Sequence, residues 1–377
     1  MRVLFDHQTF WLQRYGGISR YYVELIEQLR AQGVNCRIAL WHSENTHLRQ
    51  SQIMDGNAAE TRPEGWSVAQ WVKRRANLDI DGFMNQRRSI NALKRDDWDI
   101  FHPTYYYPYF LEHLRDRPFV LTVHDMIHET FPDMFKPSDP TSKNKRTLID
   151  RAEKIIAISE STKNDMIRFC GISPSKVEVV HHGPTLDPSV AAPRPDWLPS
   201  RYVLFVGNRF PYKNFERFIL ALSEVIREEP ELHLVCGGGS PFREYEVKFL
   251  EGMGMLDRTR YTDVDDPLLA CLYRHAEAFV FPSLYEGFGF PLLEAMACGC
   301  PVIASNTSSF PEVASDAAAL FDPTDEVSMT ETILNVIRDG EMRRRLRERG
   351  LSRSREFSWE RTAQKTRKVY EGIFEIR

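Results

Sequence analysis

Short, nearly unbroken apolar runs recur along this chain, with stretches of helical spacing between them. In the first half the runs are Arg2–Phe5, Cys36–Trp41, Asp99–His102, Phe119–His124, Lys154–Ser159 and Val177–His181. A strand with one wet face alternates apolar and polar residues. Runs that are apolar throughout are what a parallel sheet requires when both of its faces are covered. The spacing predicts helices over Ile18–Gln32 and Ser161–Phe169. Asp187–Pro199 then carries four prolines in thirteen residues, which neither a helix nor a central strand tolerates. Beyond it the alternation restarts. Strands are expected at Tyr202–Gly207, Leu232–Cys236, Arg260–Thr262, Ala278–Pro282, Val302–Ser305 and Ala319–Phe321. Helices are expected at Asn214–Arg227, Arg243–Gly252, Pro267–His275, Pro291–Ala297, Val327–Arg338 and Glu341–Glu356. The pattern predicts an α/β protein of two Rossmann-like β/α/β domains with an interdomain cleft. The expected division is 1–186, a linker at 187–199, 200–357, and a last helix in 358–377 that crosses back to the first domain. At 377 residues the chain exceeds the roughly 250–300 at which a single core stops growing. Ligands of such sheets bind beyond the C-terminal strand ends, so the cleft is the expected site.

A formal net charge of −4 lacks the basic excess of a general nucleic-acid binder, and no nucleic-acid partner is expected. Cys36, Cys170, Cys236, Cys271, Cys298 and Cys300 are scattered, and Cys298-Gly299-Cys300 has the wrong spacing for a zinc knuckle. Reduced thiols and a cytoplasmic setting follow as the expectation. The opening Met1–Asp6 does not read as a signal peptide, and no run approaches the ~18 apolar residues of a membrane span. Membrane contact is therefore expected to be peripheral if it occurs. Between Trp66 and Trp98, Lys73, Arg74, Arg75, Arg87, Arg88, Lys94 and Arg95 stand among Trp66, Trp71, Phe83 and Met84. Such a stretch suits an anionic bilayer. Four aspartates dilute its charge, and a solvated helical face fits the composition equally well.

The sharpest motif is Phe281–Ser305, which reads as a strand end, a glycine-containing turn, a helix opening near Pro291 and a returning strand. Gly287 and Gly289 allow close backbone approach to a ligand, and exposed amides at a helix N-terminus favour an anion. Glu286 and Glu294, eight apart, bracket the turn, and paired carboxylates suit a polyol. This stretch strongly resembles glycosyltransferase family 4, a GT-B family whose signature is two glutamates eight apart around Gly-Phe-Gly, followed by Glu-Ala-Met-Ala. The resemblance extends over essentially the whole chain. It implies that Glu286 faces the donor sugar, Glu294 holds the ribose hydroxyls, and the backbone at Phe288 and Gly289 faces the sugar and diphosphate.

Val206–Asn214 lies between a strand end and the next helix, and its Arg209 and Lys213 resemble the family's basic pair. There they would neutralise a leaving diphosphate in place of a divalent ion. Arg209 stands one place later than the arginine of many members. Gly16-Gly17 after the first strand is similar to the family's glycine loop at the donor phosphate. His124, ending an apolar strand beside Asp125, matches a histidine next to the donor sugar. His102, followed by Tyr105, Tyr106, Tyr107 and Tyr109, is a second histidine of that kind, on the acceptor side or in a packed loop. The backbone near Val264, within Thr262–Asp265, would read the base, and Ser305–Glu312 would support the turn. The Pro-, Ser-, Asp- and Lys-rich Phe131–Lys145 reads as a lid or an ordinary loop.

The resemblance implies a retaining, metal-independent hexosyltransferase. The acceptor hydroxyl attacks from the front face, His124, Glu286, Lys213 and Arg209 act at the reacting centre, and no cofactor is needed. The opening Phe5–Phe10 with Gly16–Tyr21 looks most like bacterial mannosyltransferases of O-antigen and other surface-polysaccharide assembly. GDP-mannose is the favoured nucleotide-sugar donor, with UDP and dTDP sugars open. The acceptor would be a saccharide, lipid-linked, at the inner face of the membrane. An epimerase or phosphorylase on the same architecture, and a non-catalytic nucleotide-sugar sensor, remain as rivals.

Overall fold

The computed structural model describes residues 1–53 and 79–376. All twelve predicted strands are present, shifted by at most a few residues. They are β1 (Arg2–Phe5), β2 (Asn35–Ile38), β3 (Ile100–His102), β4 (Val120–Val123), β5 (Lys154–Ala157), β6 (Val177–Val179), β7 (Tyr202–Val206), β8 (His233–Gly237), β9 (Thr259–Thr262), β10 (Ala278–Phe281), β11 (Val302–Ser305) and β12 (Ala318–Phe321). Among the described residues every strand pairing is parallel. The first half orders its strands β2-β1-β3 and β4-β5-β6, the two sets joined by one parallel bridge between Phe101 and Phe119. The second half is a six-stranded sheet, β12-β11-β10-β7-β8-β9.

Central strands such as β4, β7, β10 and β11 are buried along their whole length, which is why their sequences do not alternate. The covering helices have apolar stripes. Phe215–Glu228 buries Phe218, Ile219, Leu222 and Val225 at helical spacing. Short helices over Gln8–Leu12, Thr46–Gln50 and Ile127–Thr130, and longer ones over Ile80–Leu93 and Thr141–Arg151, add to the predicted set.

Among the described residues the chain crosses between the halves twice. The Pro-rich stretch contains a 3-10 turn at Pro188–Val190, and Ala192 N–H donates to Pro267 O (2.9 Å). The second crossing precedes the Trp359–Ile376 helix, which lies against Gly17–Ala31 of the first half. The two crossings touch. Trp359 Nε1 donates to Pro184 O (3.0 Å), Thr362 Oγ1 to His181 O (2.9 Å), and a Cβ on Gly183 would lie 2.6 Å from Trp359 N. One continuous apolar core runs from Val3 and Tyr22 through Phe288 and Leu292 to Tyr370, so the cleft floor is shared by both halves.

Candidate functional site

In the second sheet the strand order reverses between β7 and β10, and the loops leaving those two strands open a crevice at their C-terminal ends. The β7 loop carries Lys213 and the β10 loop carries Glu286. Lys213 Nζ donates to Glu286 Oε1 at 2.6 Å, with both side chains largely buried (12% and 14% exposed). The backbones of the two loops are tied as well, Leu284 N–H to Tyr212 O at 2.8 Å. From the next loop, Ser308 Oγ accepts from Glu286 N–H (3.0 Å) and Ser309 Oγ donates to Glu286 O (2.9 Å). Glu286 is thus held from both sides, and one ammonium proton of three on Lys213 is committed to it.

The same turn reaches across the cleft. A Cβ on Gly287 would lie 1.8 Å from His124 O, so only glycine permits this approach. Ser159 Oγ donates to Gly287 O (2.7 Å), and Tyr285 OH donates to Asp165 Oδ2 (2.7 Å) while accepting from Met126 N–H. Gly289 has φ +96°, a left-handed conformation that starts the Phe290–Ala297 helix. Phe288 packs on His182 at 3.8 Å between ring centroids, and Phe290 stacks on it at 3.9 Å. Phe290 also touches the position a Cβ on Gly17 would occupy (3.5 Å), so the glycine loop after β1 sits against the first turn of the motif helix.

Glu294 is buried, and Thr185 Oγ1 donates to its Oε1. Burial raises its pKa against the opposing pull of Arg20 and Thr185. Arg20 spans the cleft to Asp266 (2.8 and 3.1 Å) and donates to Thr185 O. His124 follows β4. Its N–H donates to Tyr106 OH (2.9 Å), and its ring meets Tyr21 edge-on at 5.0 Å. Burial lowers its pKa to about 4, so the ring is neutral at neutral pH. Its Nε2 is buried without a hydrogen-bond partner, as are Tyr21 OH and both ring nitrogens of His182. Tyr21 and His182 are fully buried, with Thr122 near the Tyr21 hydroxyl and the Gly183 backbone near the His182 ring, so the Nε2 of His124 is the orphaned atom of the three that can face a ligand or ordered water. Asp125 beside His124 would be raised by burial, but the Lys145 ammonium holds it below its ordinary value. Lys145 is fully buried and donates to Asp125 O and Glu129 Oε2, both at 2.9 Å. It closes the stretch read as a lid or an ordinary loop and ties that end to Asp125 beside His124.

Two of the sequence candidates are already engaged by protein groups. Arg209 does not stand free for a diphosphate. Its Nε donates to Glu246 Oε1 (2.6 Å), one terminal nitrogen donates to Ser240 O (2.6 Å), and its guanidinium lies 4.6 Å from the Phe242 ring centroid. The pair is buried, at 4% and 6% exposed, and the second terminal nitrogen of Arg209 is buried without a hydrogen-bond partner. His102 is a satisfied core histidine, bonded through Nδ1 to Tyr370 OH (2.6 Å) and through Nε2 to Thr122 Oγ1 (2.9 Å). Val264 packs against Gly237 and Gly238 at the end of β8, beside the cleft. In the neighbouring aspartates, Asp263 accepts from Tyr261 OH, and Asp265 caps the Asp266–His275 helix through Leu268 N–H (2.9 Å). Among the described residues no three His, Cys, Asp or Glu side chains converge as a metal-ligand group. Arg20, Thr185, Asp266, Tyr21 and His182 were not singled out from sequence. Arg20 lies on the first turn after Gly16-Gly17, a position from which helical spacing could have flagged it.

Residues 15–188 match the family described as Glycosyltransferase Family 4, and residues 197–353 match Glycosyl transferases group 1. The chain is similar to O-antigen chain mannosyltransferase B of Escherichia coli, 29% identical over 94% of this chain and 95% of that one. Among solved structures it is similar to sucrose-phosphate synthase of Thermosynechococcus elongatus (TM-score 0.71, 20% identity, covering 100% and 99% of the two chains). HepE of Anabaena in complex with UDP and glucose superimposes with TM-score 0.72 at 16% identity, covering 99% and 100%.

Proposed function

Since the chain belongs to the glycosyltransferases, a Family 4 domain followed by a group 1 domain on the GT-B architecture, we propose that it is a retaining mannosyltransferase using GDP-mannose. The acceptor is a saccharide on a lipid carrier. Near full-length similarity to an O-antigen mannosyltransferase supports the sugar and the acceptor class. The observation that carries the reading is the Lys213–Glu286 pair, one residue from the contact between Gly287 and His124.

The acceptor hydroxyl attacks the anomeric carbon from the face the diphosphate leaves. The new C–O bond forms as the sugar–phosphate bond breaks. GDP departs with the electron pair, and the acceptor proton passes to the departing phosphate oxygen. Arg20, whose charge is met by Asp266, braces the cleft, and Lys213 directs a free N–H to that phosphate. This fixed charge takes the part of a divalent ion. Glu286 accepts from a sugar hydroxyl through its second oxygen. His124, neutral and with Nε2 unpartnered, hydrogen-bonds another. Glu294 holds the ribose. Closure through Gly287, Tyr285 and Arg20 excludes water and limits donor hydrolysis.

A donor screen in excess EDTA tests this. Purified protein is mixed with GDP-, UDP-, dTDP- and ADP-sugars, with thermal shift and released nucleoside diphosphate as readouts. Selective stabilisation and slow GDP release with GDP-mannose are expected. A response confined to UDP-glucose, or one that requires added manganese, would overturn the donor or the metal-free mechanism respectively.

A further inference from the structure

On the outer edge of the first sheet, β2 and the Ile80–Leu93 helix enclose an open recess of about 250 Å³. The helix and the residues after it contribute Met84, Arg87, Arg88 and Arg95 at spacings of three, four and eleven, which place them on one stripe. The strand side contributes Arg37 and Trp41. The recess is built firmly. Asn85 accepts from Trp41 N–H (2.7 Å) and His42 N–H (3.0 Å), and Ser89 Oγ donates to Ala39 O (2.8 Å).

Of the four aspartates that dilute this region's charge in sequence, Asp97 lies at the recess edge, where it neutralises Arg37 and faces Arg95, and the other three pair with none of the recess arginines. Asp79 caps the helix through Gly82 N–H (2.9 Å), Asp81 is buried, Asp96 pairs with Arg117, and Asp97 pairs with Arg37 at 2.6 Å. Among the described residues the side chains of Arg87, Arg88 and Arg95 make no hydrogen bond or ion pair. Three guanidinium groups on one stripe repel each other unless an anion joins them. Guanidinium forks match phosphate oxygens in pairs. Beside them in the lining stand the Trp41 indole and the Met84 thioether, and Phe83, next to Met84 on the same helix, is 64% exposed. Cations next to an indole and a bare phenyl ring match the interface of a bilayer better than a small ion in water.

We propose that this recess is a phosphate-binding site for the head group of an anionic lipid, holding the first half of the protein on a membrane surface. The site is separate from the cleft and does not depend on which sugar is transferred. Trp66, Trp71, Lys73, Arg74 and Arg75 lie outside the described residues and are not needed for it.

The test is co-sedimentation of the full chain with vesicles of phosphatidylcholine alone and of phosphatidylcholine with phosphatidylglycerol. R87Q/R88Q is compared with R344Q/R345Q, which removes the same charge from an exposed helix elsewhere. Circular dichroism checks that all three proteins are folded. Wild type is expected to bind only the anionic vesicles. R87Q/R88Q should bind them about thirtyfold more weakly, from roughly 1 kcal/mol per arginine, and the control pair should bind as wild type. Donor-stimulated release of nucleoside diphosphate should stay unchanged in R87Q/R88Q, which separates this proposal from the assignment of the cleft. Equal binding by R87Q/R88Q, equal loss in the control pair, or no binding by folded wild type overturns it. Thermal stabilisation by inorganic phosphate that needs Arg87 and Arg88, without vesicle binding, overturns the lipid assignment in favour of a soluble phosphate.

Discussion

Replacing Gly287 by alanine puts a methyl group where a backbone carbonyl from the other half of the protein already lies. The added Cβ would fall 1.8 Å from His124 O, and real Cβ atoms essentially never come nearer than 3.0 Å. The turn must therefore retreat by more than 1 Å, carrying Glu286 with it and stretching the 2.7 Å bond from Ser159 Oγ to Gly287 O. Gly287 is not among the left-handed glycines, so alanine adds no backbone strain of its own. The damage falls on cleft geometry. A misplacement of about 1 Å at a reacting centre costs on the order of a hundredfold, or about 2.7 kcal/mol of transition-state stabilisation. G287A is thus expected to lose about two orders of magnitude in kcat/KM while its melting temperature moves by only a few degrees. Steady-state kinetics with the donor selected by the screen, paired with thermal melting, read both quantities. A kcat/KM within threefold of wild type would refute the claim that this contact sets the working geometry.

Glu286→Ala should abolish transfer and leave the fold intact, as judged by circular dichroism and product assay. Lys213→Ala should lower kcat by about 10²–10³, the usual cost of removing one preorganised stabilising donor, at unchanged melting temperature. Arg209→Ala should behave in the opposite way. It leaves buried Glu246 without its partner, so a stability loss of about 3 kcal/mol is expected in chemical denaturation, with the residual folded protein still turning over. Stability should also fall in acid. Burial lowers His124 to about 4 and His102 to about 3, below the unfolded value near 6.5. The unfolded state therefore binds more protons below about pH 6.5. The stabilisation is complete above that pH and is lost as pH falls towards 4 and then 3. Denaturation midpoints measured across that window should drop, and His102→Gln should make the drop shallower.

Sequence made the fold legible because covered parallel strands cannot alternate, and the fully buried β4, β10 and β11 show the reason. It located the motif turn and Lys213, whose 73-residue separation from Glu286 is closed by the strand reversal between β7 and β10. It could not separate His102 from His124. Each follows the same local pattern, an apolar strand ending in histidine. What distinguishes them is Tyr370, which arrives from 268 residues away on the returning helix and occupies His102. Nothing local announces that Arg209 pairs with Glu246, 37 residues on. Arg20 was passed over for the converse reason, since its partner Asp266 lies 246 residues distant, across the cleft. Local pattern carries the element and the turn. Which charged groups face a ligand depends on long-range pairing that spacing does not encode.

The most direct test of the central claim is the anomeric configuration of the product. Wild-type protein in EDTA would be supplied with GDP-mannose and a mannosyl acceptor, and the new linkage read by NMR of the purified product. An α-linked mannose is expected, formed without added metal and absent with Glu286→Ala. A β-linked product, or the same α-linked product from the Glu286→Ala protein, would contradict it.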